Sequence, residues 1–130
     1  MSDFVTHRGG CHCGRVAFEV DAPARIEAIE CNCSICRMTG FLHLIVPASR
    51  FRLLRGADDL AEYTFNTGVA KHTFCRVCGV KPFYIPRSNP DGFDVNVHCL
   101  DRKTIAGIDI TPFDDARRDE NTAAIQHLSR

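Results

Sequence analysis

Cys31-Asn32-Cys33-Ser34-Ile35-Cys36 sets three thiols within six residues. Two further pairs bracket it: Cys11-His12-Cys13 lies about 20 residues upstream and Cys75-Arg76-Val77-Cys78 about 40 residues downstream. No single local loop spans those separations, so the fold has to gather the clusters. C-x-C and C-x-x-C thiols at these spacings form the metal-ligand pattern of zinc. Seven donors divide into four and three. Four close a tetrahedron, and three leave a fourth position for water or a ligand, which is the plan of catalytic zinc.

A C-x-x-C pair closes a tight turn whose N–H groups can stabilise the thiolates. Gly79, directly after Cys78, fits such a turn because glycine tolerates positive φ. Cys75 and Cys78 need a partner pair. Cys11 and Cys13 are a candidate, since residues i and i+2 of a strand share a face. That leaves Cys31, Cys33 and Cys36 to hold a second ion facially. The alternative is a closed second site with a fourth protein ligand: Cys99 first, then His98, His43 and His12. Cys99 alternates with Phe93, Val95 and Val97 and reads as a small core residue. His12 reads as exposed and His43, inside an apolar run, as a core histidine.

Length and composition narrow the class. A chain of 130 residues is expected to form one domain. Lys+Arg and Asp+Glu are both 16, so no basic excess drives phosphate contact and nucleic acid is not expected as a partner. The first ten residues are polar and lack an apolar signal core, and no run reaches the ~20 apolar residues of a membrane span. A cytoplasmic location is therefore expected, where thiols stay reduced and available to metal. The even total of eight cysteines would also suit disulfides, but C-x-C pairs bridge poorly. A redox role for Cys75/Cys78 lacks the βαβ context such motifs use.

Between the clusters the pattern is that of short strands. Strands are expected over residues 15–20, 24–30, 41–46, 51–54, 61–65, 71–74, 80–85 and 92–100, with Pro82 marking an edge or bulge. Residues 92–100 alternate Phe93, Val95, Val97 and Cys99 against Asp94, Asn96 and His98. The tail from Asp114 has helical composition. Strands at about ten-residue intervals predict a mainly β architecture, either an all-β sandwich or a set of small packed sheets.

The run from Gly9 to Gly14, then Cys31 to Cys36, Phe74 to Gly79, and Val95-Asn96-Val97-His98-Cys99-Leu100-Asp101 resembles the glutathione-dependent formaldehyde-activating (GFA) family, to which centromere protein V is related. Tyr63-x-Phe65-Asn66 and Phe83-Tyr84-Ile85-Pro86 add to the resemblance. It covers about residues 7–112, leaving a tail at 113–130 of a single domain over 1–130. It implies several small coiled antiparallel β-sheets, a fold shared with a zinc-binding Rab chaperone. It implies a structural zinc on Cys11, Cys13, Cys75 and Cys78 and a catalytic zinc on Cys31, Cys33 and Cys36. The implied activity is that of a carbon–sulfur lyase, S-(hydroxymethyl)glutathione synthase-like, joining glutathione to a small aldehyde such as formaldehyde. The competing reading is a non-catalytic zinc-binding structural or protein-interaction module.

On the lyase reading, a thiol entering the open position is deprotonated near neutral pH and attacks the aldehyde carbon. His98 is the expected proton donor to the resulting alkoxide. Glutathione carries two carboxylates, so its cleft should offer cations. Arg37, next to the third ligand, is the first candidate, with Arg8, Lys71 and Arg76 beside other clusters. Gly40 could line the cleft and allow close approach of a ligand backbone.

Overall fold

A computed structural model describes residues 3–130, with their side chains except those of residues 118 and 119. Met1 and Ser2, at the start of the polar N-terminal stretch, lie outside the described residues. Among the described residues ten strands build three sheets. The first contains β1 (Phe4–Gly10), β2 (Ala17–Pro23) and β5 (Phe51–Arg55) in the order β1-β2-β5. β1 and β2 form a hairpin from Phe4↔Pro23 to Gly10↔Ala17, so its loop carries Cys11 and Cys13. β6 (Leu60–Tyr63) and β7 (His72–Cys75) form a two-stranded sheet, and β7 ends at Cys75. The C-x-x-C turn follows at once, closed by Gly79 N–H donating to the Cys75 carbonyl at 2.8 Å, with Gly79 at φ +79° as its position predicts.

The largest sheet has five strands: β10 (Gly107–Phe113), β3 (Arg25–Cys31), β4 (His43–Pro47), β9 (Gly92–Asn96) and β8 (Phe83–Tyr84), in that order. Its pairs are antiparallel except β3–β10, which is parallel in register from Gly107↔Arg25 to Phe113↔Cys31. The expected antiparallel pattern therefore holds apart from this one edge. β1 and β10 were not expected as strands. Both are edge strands with mostly exposed residues; β1 lacks apolar alternation, whereas β10 alternates Ile108 and Ile110 against Asp109 and Thr111, a pattern the sequence reading passed over.

Period-two alternation gives the five-stranded sheet two buried faces. Ile26 and Ala28 of β3, Leu44 and Val46 of β4, Val95 of β9 and Phe83 of β8 join Phe18, Val20 and Phe51 in the core. The intervening residues Ile29, Cys31, His43, Ile45, Asp94 and Tyr84 line a cavity on the opposite face. This explains a misreading: Asp94 and Asn96 look like a solvent-facing polar row but are 1% and 6% exposed. The strand stops at Asn96. His98 and Cys99 belong to a short 3-10 turn, which the Asn96 side chain caps by accepting from the His98 N–H.

Two α-helices lie among the described residues. α1 (Ser34–Thr39) begins within the Cys31–Cys36 cluster and ends at Gly40, which sits at φ +65°. α2 (Arg118–Ile125) lies in the C-terminal segment, in line with its helical composition. No helix among the described residues is long and apolar enough to cross a membrane.

Candidate metal centre

All eight cysteines are free thiols, which removes the disulfide alternative. The hairpin loop and the C-x-x-C turn bring Cys11, Cys13, Cys75 and Cys78 together, with their sulfurs within 4.8 Å of one another. The Cys11–Cys13 and Cys13–Cys75 Sγ separations are 3.6 and 3.7 Å. A tetrahedron with metal–sulfur bonds of about 2.3 Å has edges of roughly 3.8 Å, so these donors fit a four-thiolate ion. Backbone N–H groups of Val77 and Cys78 point at the Cys75 sulfur at 3.4 and 3.5 Å. They help hold the Cys75 thiol below its ordinary range. Backbone N–H groups of Val80 and Cys13 draw Cys78 down to about 6.

The second cluster is Cys31, Cys33 and Cys36, again with sulfurs within 4.8 Å of one another. β3 delivers Cys31, Cys33 caps α1, and the first turn of α1 buries Cys36. Hydrogen bonds from the neighbouring thiols Cys31 and Cys36 draw Cys33 down to about 2, while the cluster raises Cys31 to about 11 and pushes Cys36 up strongly. Three adjacent sulfurs cannot all ionise unaided, and a divalent cation among them would remove that conflict. Both clusters could thus hold metal ions. Among the described residues no histidine or carboxylate, and no further cysteine, joins the second set.

The proposed fourth ligands go elsewhere. Burial raises Cys99 to about 11, and the charges that act on it are those of Cys11 and Cys78, so it sits beside the first cluster. His12 is exposed, as expected. His43 is buried, as expected, but it also serves the second cluster. Its Nδ1 lies 2.6 Å from Asp94 Oδ2 and its Nε2 lies 3.2 Å from Cys36 Sγ. The ring therefore bridges the Asp94 carboxyl group and the Cys36 sulfur.

Behind this chain lies a second buried polar group. Lys81 is 8% exposed. Its Nζ donates to His72 Nδ1 at 2.7 Å and sits 3.9 Å above the Tyr84 ring and 5.0 Å above that of Phe41. Burial brings Lys81 down to about 8, and burial together with the Lys81 charge brings His72 down to about 4. His72 therefore stays neutral at pH 7, stacked between Tyr84 at 4.7 Å and Phe65 at 5.2 Å. Sequence reasoning does not single out His72, Lys81 or this use of Asp94, because none has a spacing relation to the second cluster.

Two spaces border the cluster, and both are lined in part by Cys31, Cys36 and Phe113. One is an inner cavity of about 130 Å³. The other is an outer groove of about 430 Å³ that brings together Arg37, Gly40 and His98. His98 is exposed. The other three cations are engaged elsewhere: Arg8 with Glu19 at 3.8 Å, Lys71 with the Gly68 carbonyl at 2.7 Å, and Arg76 with Asp59 at 3.4 Å. At Gly40 an added Cβ would meet nothing within 4 Å, so its positive φ at the helix end accounts for the glycine, not close packing.

A model of the glutathione-dependent formaldehyde-activating enzyme family matches residues 6–113. The fold is also similar to that of a Rhodobacter sphaeroides protein solved in a structural genomics programme. That crystal structure is 38% identical and covers 80% of this chain and 99% of its own, with a TM-score of 0.68. With a family match that takes in both cysteine clusters, the chain belongs to the glutathione-dependent formaldehyde-activating enzyme family.

Proposed function

We propose that this chain is a zinc-dependent carbon–sulfur lyase that forms or cleaves the glutathione adduct of a small aldehyde. The observation that carries the reading is the three-thiolate cluster bordered by two spaces, a groove that holds Arg37 and a smaller cavity. Cys11, Cys13, Cys75 and Cys78 would hold a structural ion, and Cys31, Cys33 and Cys36 a second one. A zinc ion there would supply the charge that turns an entering thiol into a nucleophile near neutral pH.

The protein's own groups supply the rest. Arg37 in the groove offers a planar cation to a glutathione carboxylate, and Gly40 gives the ligand an open wall. His98, exposed in the same groove, is the proton donor to the developing alkoxide, passing on the proton that the thiol releases; in the cleavage direction it takes that proton back from the hydroxyl. Asp94 holds the His43 ring, and His43 holds Cys36. In synthesis the sulfur lone pair forms the C–S bond as the C=O π bond opens, and the oxygen takes up the proton that the thiol released.

Two measurements test this. Elemental analysis should find about two zinc ions per chain, one of them perturbed by excess glutathione. NMR exchange spectroscopy on glutathione and formaldehyde should show hemithioacetal exchange accelerated by the metal-loaded protein. An exchange rate unchanged at stoichiometric protein would refute the reading.

A further inference from the structure

We infer that the inner cavity is a subsite for an apolar aldehyde substituent about the size of a benzene ring, with His72 as hydrogen-bond donor to the reacting oxygen. The inference rests on the lyase reading and extends it to substrate class. Glutathione, with its two carboxylates, suits the larger groove with Arg37. The cavity is smaller and is walled largely by other side chains. Ile29, Ile35, Ile45, Phe65, Phe113 and Ile125 supply apolar walls, and polar groups such as Arg87 and Asp115 complete the lining. Its volume of about 130 Å³ is close to the ~150 Å³ of an engineered apolar cavity that takes up benzene, whereas a water molecule occupies about 30 Å³. Formaldehyde, little larger than water, would leave most of this space unfilled.

Part of the wall comes from outside the region that matches the family. Asp115, Thr122 and Ile125 all lie beyond residue 113. Two buttresses hold this segment. The Asn32 side chain, between two cluster cysteines, donates to Asp114 Oδ1 at 3.2 Å and accepts from the Asp115 N–H at 2.7 Å. Asn89, 1% exposed, donates through Nδ2 to the carbonyls of Ile125 and Gln126 at 3.1 Å and to Ser129 Oγ at 2.9 Å. The segment is therefore a fixed wall of the cavity, and Ile125 helps set its depth.

The polar end of the subsite follows from the His72 tautomer. Lys81 donates to Nδ1, so in the neutral ring Nε2 carries the hydrogen. His72 lines the cavity, and among the described residues no protein group bonds to its Nε2. A neutral imidazole N–H held in this way can polarise a carbonyl without surrendering its proton. As the C–S bond forms, the oxygen gains the π electron pair, His72 stabilises it by hydrogen bonding, and the thiol's own proton completes the hydroxyl. Thiol and aldehyde combine without any other reagent.

The test uses the full-length, zinc-loaded protein with 4-fluorobenzyl alcohol and fluorobenzene as unreactive probes in fluorine NMR. Both should bind saturably. Ile125→Trp, which fills the cavity, should weaken both at least tenfold with zinc content unchanged. His72→Phe keeps the ring stack but removes the donor, so it should weaken the alcohol several-fold and spare fluorobenzene. Retained fluorobenzene binding also reports that this variant is folded. In glutathione exchange assays, benzaldehyde should outcompete formaldehyde in the native protein, and Ile125→Trp should reverse the order. Accelerated formaldehyde exchange with no probe binding would overturn the subsite and leave the lyase reading standing. Probe binding lost on Ile125→Trp, with no aldehyde exchange accelerated, would overturn the lyase reading while the cavity's ligand class stood. Equal loss of alcohol and fluorobenzene in His72→Phe would overturn the donor role.

Discussion

His43→Ala removes the one ring that joins Asp94 to Cys36, and its cost can be worked out from the contacts. Asp94 is 1% exposed, and its Oδ1 already lacks a hydrogen-bond partner in the structure. His43 supplies the partner of Oδ2 at 2.6 Å. Without the ring, a buried carboxylate is left with neither oxygen paired, and breaking a buried pair from one side costs about 3–5 kcal/mol. Packing lost against Phe41, whose ring centroid lies 4.7 Å away, adds to this. For a chain of this length, each kcal/mol shifts Tm by roughly 3–5 °C, so calorimetry should record a drop of about 10–20 °C. Asp94→Leu in the same chain removes the stranded carboxylate and should recover most of the loss, giving a clear coupling in a double-mutant cycle. The metal should respond separately. Loss of an outer-shell partner typically weakens affinity 10–100-fold, so a chromogenic chelator should strip the second ion faster while the four-thiolate ion is unaffected. A loss below about 1 kcal/mol, with additive effects of the two substitutions, would refute the view that Asp94, His43 and Cys36 act as a unit.

Three further outcomes are expected. Cys33→Ser should fold and carry about one zinc instead of about two by elemental analysis, whereas Cys75→Ser, at a fully buried position, should fail to fold; an unchanged zinc count in Cys33→Ser would dismiss the second site. The folded-state value of His72 lies at about 4, below its ordinary 6.5, so between those values the unfolded chain binds more protons. Stability should therefore fall as pH drops through this window, by on the order of 2–3 kcal/mol from His72. His72→Phe should flatten that part of the urea-stability profile, and parallel profiles would contradict the assignment. Asn89→Ala leaves two carbonyls and the Ser129 hydroxyl without their shared donor, a loss of about 1–3 kcal/mol. Hydrogen exchange of residues 114–130 should then quicken while the strands keep their protection; unchanged exchange in that segment would show that Asn89 does not anchor it.

The ligand clusters were legible because coordination chemistry acts on residue type and short spacing, and both survive in one dimension. Cys11, Cys13, Cys75 and Cys78 meet as their turns require, and Gly79 adopts the positive φ that its place after Cys78 implies. The walls of the site were not legible, for a physical reason that residues 92–96 illustrate. An alternating strand announces that it has two faces, but it does not say what lies against the polar one. Val95 meets the core, as its neighbours suggest, while Asp94 meets His43 from β4, 51 positions away in the sequence. His72 and Lys81 are nine residues apart, and their pairing depends on the aromatic rings of Tyr84 and Phe41 packed around them. The tail has a composition that suits a helix or a frayed end, yet its contribution to the cavity depends on Asn32 and Asn89, two asparagines that look like ordinary loop residues until their amides are traced. The same division bears on function. The cysteines that the sequence discloses could hold metal, and by themselves they do not choose a substrate. Ile125, which would choose the aldehyde, and His72, which would hold its oxygen, are brought to the cavity only by the assembled fold. Substrate choice in this chain is therefore expected to follow substitution of Ile125 more closely than any change among its thiols.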